Sequence, residues 1–326
     1  MSDPAEYIHI LSMSNFTFGH HLARQLAASY AVASPFPHTF FDDIFPRQTV
    51  EAVAAEIPEV VLPHGCVSGA ASCYLRRGTH YRKSELHRSA MGPYTNMLFT
   101  TLRSPRFVQF LEVLTGISGL VPDPGFEGSG VHLTGDGGVL AVHHDFNWMH
   151  CLRDTAGDAA YPYDDCSRPT ARGRRSQTGR VRLHRRVNVF IYLNRAWRNS
   201  YGGHLELWTR NMSRCAQRIL PSLGRFAVFS STDFSLHGHP TPMRLPRGRM
   251  RRSIAFYYYT VDRPSEECID GDCGTFRDAQ WQKMVDGCES CTACNALPAQ
   301  LRSPYACSAG GGAAIAEDVL SSRSFS

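Results

Sequence analysis

A change of pattern at Gly130 constrains this chain more than any other feature. Beyond it, short runs rich in β-branched and aromatic residues, bounded by Gly, Pro and Asn, follow one another at residues 139–146, 187–193, 204–208, 226–230 and 253–261. No long helical pattern separates most of these runs, so crossover βαβ units are not expected and a jelly-roll is the simplest architecture. The preceding stretch, 16–120, reads as mainly helical, with apolar residues at three-to-four spacing in 50–57 and 107–114. The proline pair in Ser34-Pro-Phe-Pro-His38 interrupts it and sets up an extended segment at 39–41. Arg82 and Lys83 read first as a solvated helix face and second as the lining of a pocket.

The chain has 326 residues, 43% of them apolar, enough for one large core domain with appendages. Three parts are expected: an N-terminal extension at 1–30, a catalytic-sized body at 31–262 and a Cys-rich, partly disordered tail at 263–326. Within the body, 153–185 is rich in Gly, Pro, Ser, Thr and charge and reads as an inserted surface loop without its own core. The formal net charge of +5 is modest and concentrated between Arg168 and Arg186, so the balance does not call for a nucleic-acid partner. No run approaches the roughly 20 apolar residues that cross a bilayer, and the start lacks the basic-then-apolar layout of a signal peptide. No membrane partner and a cytoplasmic location are expected. On that basis the eleven cysteines read as reduced thiols. In the tail, Cys288-x-x-Cys291-x-x-Cys294, with Cys268, Cys273 and Cys307 nearby, has spacing that suits a structural zinc ion, and equally reads as free or disulfide-paired thiols.

Chemistry concentrates in Gly138-Val-Leu-Ala-Val-His143-His144-Asp145-Phe-Asn147. Strand alternation sends His143 and Asp145 to one face and His144 to the other. An imidazole and a carboxylate at i and i+2, joined by a second imidazole from a distant strand, make a facial triad that leaves positions open on a divalent metal. The second imidazole is expected in Ser235-Leu-His237-Gly-His239-Pro240, where parity does not separate His237 from His239. Fourteen residues after His237, Arg251 opens a strand and shares a face with Ser253, where a guanidinium suits a two-pronged salt bridge to a carboxylate. Arg252 would point to the opposite side. His132 precedes the metal strand and is a candidate for contact with a bound molecule. Trp148, Trp197 and Trp208 read as core or rim packing.

Together these residues resemble the 2-oxoglutarate/Fe(II)-dependent oxygenase superfamily, in its prolyl-4-hydroxylase-like branch. The resemblance runs in order through Pro35-Phe-Pro-His38 with Asp42-Asp43, Leu114-Thr-Gly116-Ile, Gly130-Val-His132, Gly137-Gly138, His143-His-Asp145-Phe-Asn147, Asn188-Val-Phe-Ile-Tyr192-Leu-Asn194 with Trp197, Gly202-Gly203-His-Leu-Glu-Leu-Trp208, Ser235-Leu-His237-Gly-His-Pro240 and Arg251-Arg-Ser-Ile-Ala-Phe-Tyr257. It implies a double-stranded β-helix of the cupin-like kind with supporting N-terminal helices. Fe(II) would be held by His143, Asp145 and His237. The distal carboxylate of 2-oxoglutarate would be held by Arg251 with Tyr192, and Ser253 and His132 would lie at the same cofactor. Some prolyl hydroxylases carry lysine where this chain has Arg251. Dioxygen and 2-oxoglutarate are the implied co-substrates, and ascorbate the implied reductant. The implied activity is hydroxylation of a protein or peptide side chain, proline first. Hydroxylation of a free amino acid or small metabolite is the second reading, and a non-catalytic metal-binding interaction protein the third.

Overall fold

The computed structural model describes residues 15–57, 80–86, 88–153, 163–169 and 179–281. The chain opens with α1 (Asn15–Ala31), β1 (His38–Phe41), α2 (Arg47–Glu56) and β2 (His80–Leu86). Two more helices follow, α3 (Pro93–Arg103) and α4 (Pro105–Thr115), then β3 (Val121–Pro122) and the long β4 (Gly130–His144). The remaining strands are β5 (Trp148–Arg153), β6 (Tyr163–Ser167), β7 (Arg180–Tyr192), β8 (Leu205–Trp208), β9 (Cys215–Ile219), β10 (Phe226–Ser230), β11 (His237–His239), β12 (Arg251–Thr260) and β13 (Gln280–Trp281). The helices α2 and α4 fall where apolar spacing places them.

Strands pair in the order β1-β10-β7-β12-β4-β11-β8-β9, each contact antiparallel. The first half of β4 pairs with β12 and its second half with β11, so one strand serves two sheets. Between the halves, the chain bulges where Gly137 takes φ 70° and donates its amide to Met243 O at 2.8 Å. The result is the double-stranded β-helix, a nearly closed barrel with its helices to one side.

The alternation of β12 explains the two layers. Ile254, Phe256 and Tyr258 join Val187, Val189 and Ile191 in a core shared with Val53 of α2, Leu98 and Leu102 of α3, and Phe107 and Phe110 of α4. At about 25 cal/mol per Å² of apolar surface buried, this layer is the main source of stability. The opposite face looks into the barrel and is partly polar. Glu56, at the end of α2, caps α3 by accepting from Tyr94 N at 2.8 Å and Thr95 N at 2.7 Å, while Ser104 Oγ caps α4 by accepting from Phe107 N.

Three features differ from the sequence expectations. First, the stretch expected to be helical contains strand β2, whose sequence His-Tyr-Arg-Lys-Ser-Glu-Leu lacks apolar alternation because its inward face is charged. Second, β7 begins at Arg180 rather than 187, and β6, inside the stretch expected as loop, pairs antiparallel with β5. Arg185 and Arg186 lie buried on β7, each with an acidic partner: Asp145 at 3.2 Å and Glu267 at 3.0 Å. Third, thiols expected to be reduced are bonded in two pairs, Cys151–Cys166 across the β5–β6 hairpin and Cys268–Cys273, because the fold sets their Cα atoms 4.1 and 5.3 Å apart. Cys288, Cys291, Cys294 and Cys307 lie outside the described residues, as do Arg172, Arg174 and Arg175.

Past Asp262 the described chain is fastened to the barrel by Arg263 and Arg277, both on Asp233 at 3.1 and 3.5 Å, and ends in β13, which pairs with β4 beside His143. Among the described residues no helix is long and apolar enough to cross a membrane.

Candidate metal centre and carboxylate pocket

His237 pairs directly with His143 across β11 and β4. This close approach depends on Gly238, since a Cβ there would stand 2.8 Å from the carbonyl oxygens of Leu140 and Ala141. One ligand atom from each of His143, Asp145 and His237 lies within 4.8 Å of the other two. His143 Nε2 is 3.8 Å from Asp145 Oδ1, and His237 Nε2 is 3.6 Å from Oδ2. In each histidine Nδ1 bonds a backbone carbonyl at 2.9 Å, Ala141 O for His143 and Ser235 O for His237. That contact places the proton on Nδ1 and leaves the Nε2 lone pair for a metal. His239 lines the same cavity outside this group, so the register, not the parity, separates it from His237. His144 turns away and bonds Asp145 O through Nδ1.

Charge at Asp145 is set by competing effects. Burial pushes its carboxyl up, but the Arg185 guanidinium, the two imidazoles and a 2.6 Å bond from Asn188 Nδ2 outweigh it and hold the group well below the usual carboxylate range. Arg185 is itself locked: its Nε donates to Asn188 Oδ1 at 2.9 Å and its guanidinium lies 3.3 Å from the Tyr257 ring centre. Burial lowers His237, more than Asp145 raises it, and so favours the neutral imidazole. An ionised carboxylate and two neutral imidazoles presented from one side fit a divalent d-block metal with open coordination positions.

Deeper in the barrel, the register aligns two rows across neighbouring strands. One runs Glu85, His132, Ser253, Tyr192; the next runs Lys83, Thr134, Arg251. Arg251 is buried, donates from Nε to Gly203 O at 2.7 Å, and sits 5.1 Å from the Tyr192 ring centre. Gly203 is required there, because a Cβ would meet Met243 Sδ at 2.6 Å and Arg251 Cδ at 3.0 Å. The Tyr192 hydroxyl is buried beside the Arg251 guanidinium, which can only donate to it, so among the described residues the phenol's own proton has no acceptor. Arg252 faces the other way and donates to Ala54 O and Ile57 O at 2.9 and 3.1 Å. His132 Nε2 lies 3.1 Å from Gly128 O and 3.4 Å from Glu85 Oε1.

Both groups open into one cavity of about 460 Å³. Its rim carries Arg168, paired with Glu127 at 2.7 Å and Asp278 at 3.4 Å. Two lining residues, Glu85 and Arg185, escape sequence reasoning, and for Lys83 the lining of a pocket was the second reading. Lys83 and Glu85 are obscured because β2 has no apolar signature, and Arg185 because it sits in an arginine-rich stretch that looks solvated. The one available signal is the i, i+2 spacing of Lys83 and Glu85.

Residues 129–259 match the family model of the 2OG-Fe(II) oxygenase superfamily. No curated protein matches the chain. Among solved structures, a prolyl hydroxylase from Trichoplax adhaerens in complex with a hypoxia inducible factor peptide is 14% identical, with 74% of this chain and 91% of that one covered at a TM-score of 0.41. A Pseudomonas putida prolyl-4-hydroxylase is also 14% identical, over 73% and 99% of the two chains at 0.38. HygX from Streptomyces hygroscopicus, with nickel, 2-oxoglutarate and hygromycin B bound, is 13% identical over 73% and 87% at 0.40.

Proposed function

We propose that the chain, whose residues 129–259 match the family model of the 2OG-Fe(II) oxygenase superfamily, is a 2-oxoglutarate-dependent dioxygenase that holds Fe(II) with His143, Asp145 and His237 and hydroxylates a side chain of a protein or peptide. The observation that carries the assignment of these residues is the convergence of the three ligand atoms within 4.8 Å in a cavity that Arg251 also lines, with Tyr192 buried beside that guanidinium. When bound, Fe(II) supplies the oxidising chemistry: with dioxygen it converts 2-oxoglutarate to succinate and carbon dioxide and directs one oxygen atom to a substrate C–H bond.

The protein's own part is orientation and exclusion of water. Asp145 and the two Nε2 atoms fix the metal on one side of the cavity. Arg251 and Tyr192 hold the distal carboxylate of 2-oxoglutarate, the guanidinium by charge and the phenol by a single donated hydrogen bond. Ser253 and His132, in the row beside Arg251, border the same molecule. Asn188 and Arg185 keep Asp145 ionised and oriented, so it remains a ligand and blocks the position that halogenation would need for a halide. The second reading is a free amino acid or small metabolite, bound in the cavity whose lining includes Arg168 with its partners Glu127 and Asp278.

The test is turnover by Fe(II)-reconstituted protein with 2-oxoglutarate and oxygen across a panel of peptides and amino acids. Succinate should form in step with a mass gain of one oxygen atom on one substrate class. Succinate that never couples to a modified product, with any peptide or amino acid, would count against the hydroxylase reading.

A further inference from the structure

We propose that Lys83 is a carboxylate-recognition residue for the primary substrate, so that this oxygenase acts on a molecule carrying an anionic group close to the carbon it attacks. The inference rests on the reading of the site as a metal and 2-oxoglutarate centre and adds the chemical class of the second substrate.

The argument is one of charge pairing inside the cavity. Asp145 has Arg185 at 3.2 Å, Glu85 turns Oε1 to His132 Nε2 at 3.4 Å, and Arg168 on the rim is shared by Glu127 and Asp278. Among the described residues Lys83 has neither an ion pair nor a hydrogen bond, although its strand places it in the row that ends at Arg251 and its side chain lines the cavity. Burial works against its charge, and Arg251 and Arg185 add to that penalty, with Glu85 the first of the offsetting influences. A cation kept in such a place, near two others, has a use only when an anion arrives.

Bound 2-oxoglutarate does not supply Lys83 with a partner. A divalent ion offsets the dianionic keto acid, so the pairing of the lining is kept, with Asp145 on Arg185, Glu85 turned to His132, and Arg168 shared by Glu127 and Asp278. Arg185 is engaged by Asp145, Asn188 and Tyr257, so the free valence lies at Lys83. Lys83 and Arg251 flank Thr134 on opposite neighbouring strands, about 10 Å apart at Cα. Lys83 therefore lines the cavity apart from the co-substrate clamp, on a four-carbon stem that can adjust to a ligand.

The experiment uses Ni(II)-loaded full-length protein and equilibrium calorimetry. First, 2-oxoglutarate is titrated into wild type, Lys83→Met, Lys83→Arg and Arg251→Met. Then, at saturating 2-oxoglutarate, two matched probe pairs are titrated: N-acetylglutamate against N-acetylglutamine, and acetyl-Glu-Pro-amide against acetyl-Gln-Pro-amide, which separate a free small acid from an acid borne on a peptide. The expected result is a preference of about tenfold or more for the carboxylate member of one pair. It should be lost in Lys83→Met and restored in Lys83→Arg, while 2-oxoglutarate affinity falls far less in Lys83→Met than in Arg251→Met. Three results overturn the inference: no carboxylate preference in wild type, a preference that survives Lys83→Met, or 2-oxoglutarate binding weakened by Lys83→Met as much as by Arg251→Met, which would make Lys83 part of the co-substrate clamp. Failure of 2-oxoglutarate to bind the wild-type metal complex would instead sink the underlying reading of the site.

Discussion

Arg251 and Arg252 are neighbours on β12, both buried, and they serve opposite faces of one sheet. Arg251 enters the barrel, where Gly203 O takes one of its donors and the rest of the guanidinium faces the cavity. Arg252 enters the helical layer and closes the end of α2 by donating to Ala54 O and Ile57 O, carbonyls that a helix end otherwise leaves unpaired. The contrast shows that burying a guanidinium is compatible with either stability or binding. What decides is whether its donors are already occupied by the protein.

Four measurements can break or sharpen that contrast. The largest effect is expected outside the pair, at Asp145→Ala: coupled succinate formation should fall to background and metal retention should drop, because the triad loses its only anionic member. Persistence of coupled turnover at the wild-type rate would overturn the ligand assignment. Next, Arg251→Met should weaken 2-oxoglutarate binding about a hundredfold, or roughly 3 kcal/mol, with the thermal midpoint nearly unchanged. Arg252→Met should do the reverse, costing about 2 kcal/mol of folding stability in urea denaturation through two unpaired helix carbonyls while the 2-oxoglutarate affinity stays within about twofold. If Arg252→Met proved the stronger binding mutant, the two faces would be assigned the wrong way round. The smallest effect is expected for Tyr192→Phe: one neutral donor is lost, so the dissociation constant for 2-oxoglutarate should rise about fivefold, or about 1 kcal/mol, with no change in metal binding.

Much of the barrel was legible because its strands are short apolar runs bounded by turn residues, and the run at 226–230 coincides with β10. The strands that went unread have a common cause. On β2 and the first half of β7 the inward positions are Lys83, Glu85 and Arg185, so the alternation that marks a buried strand is replaced by charge. A polar interior looks like a polar surface until the opposite wall is known. The disulfides were missed for a related reason: pairing of Cys151 with Cys166 follows from the β5–β6 register, which local sequence does not set.

The sequence by itself determined which residues share a strand face. His143 with Asp145, Arg251 with Ser253, and Arg252 apart from both follow from the pleat, which is a local property of an extended backbone. Only the tertiary structure decided which distant groups meet: His237 rather than His239 beside Asp145, Arg185 clamped on that carboxylate, and Lys83 left without an anion. Those outcomes depend on inter-strand register and on the two close approaches at Gly203 and Gly238, and register is a global solution to packing that no single segment encodes.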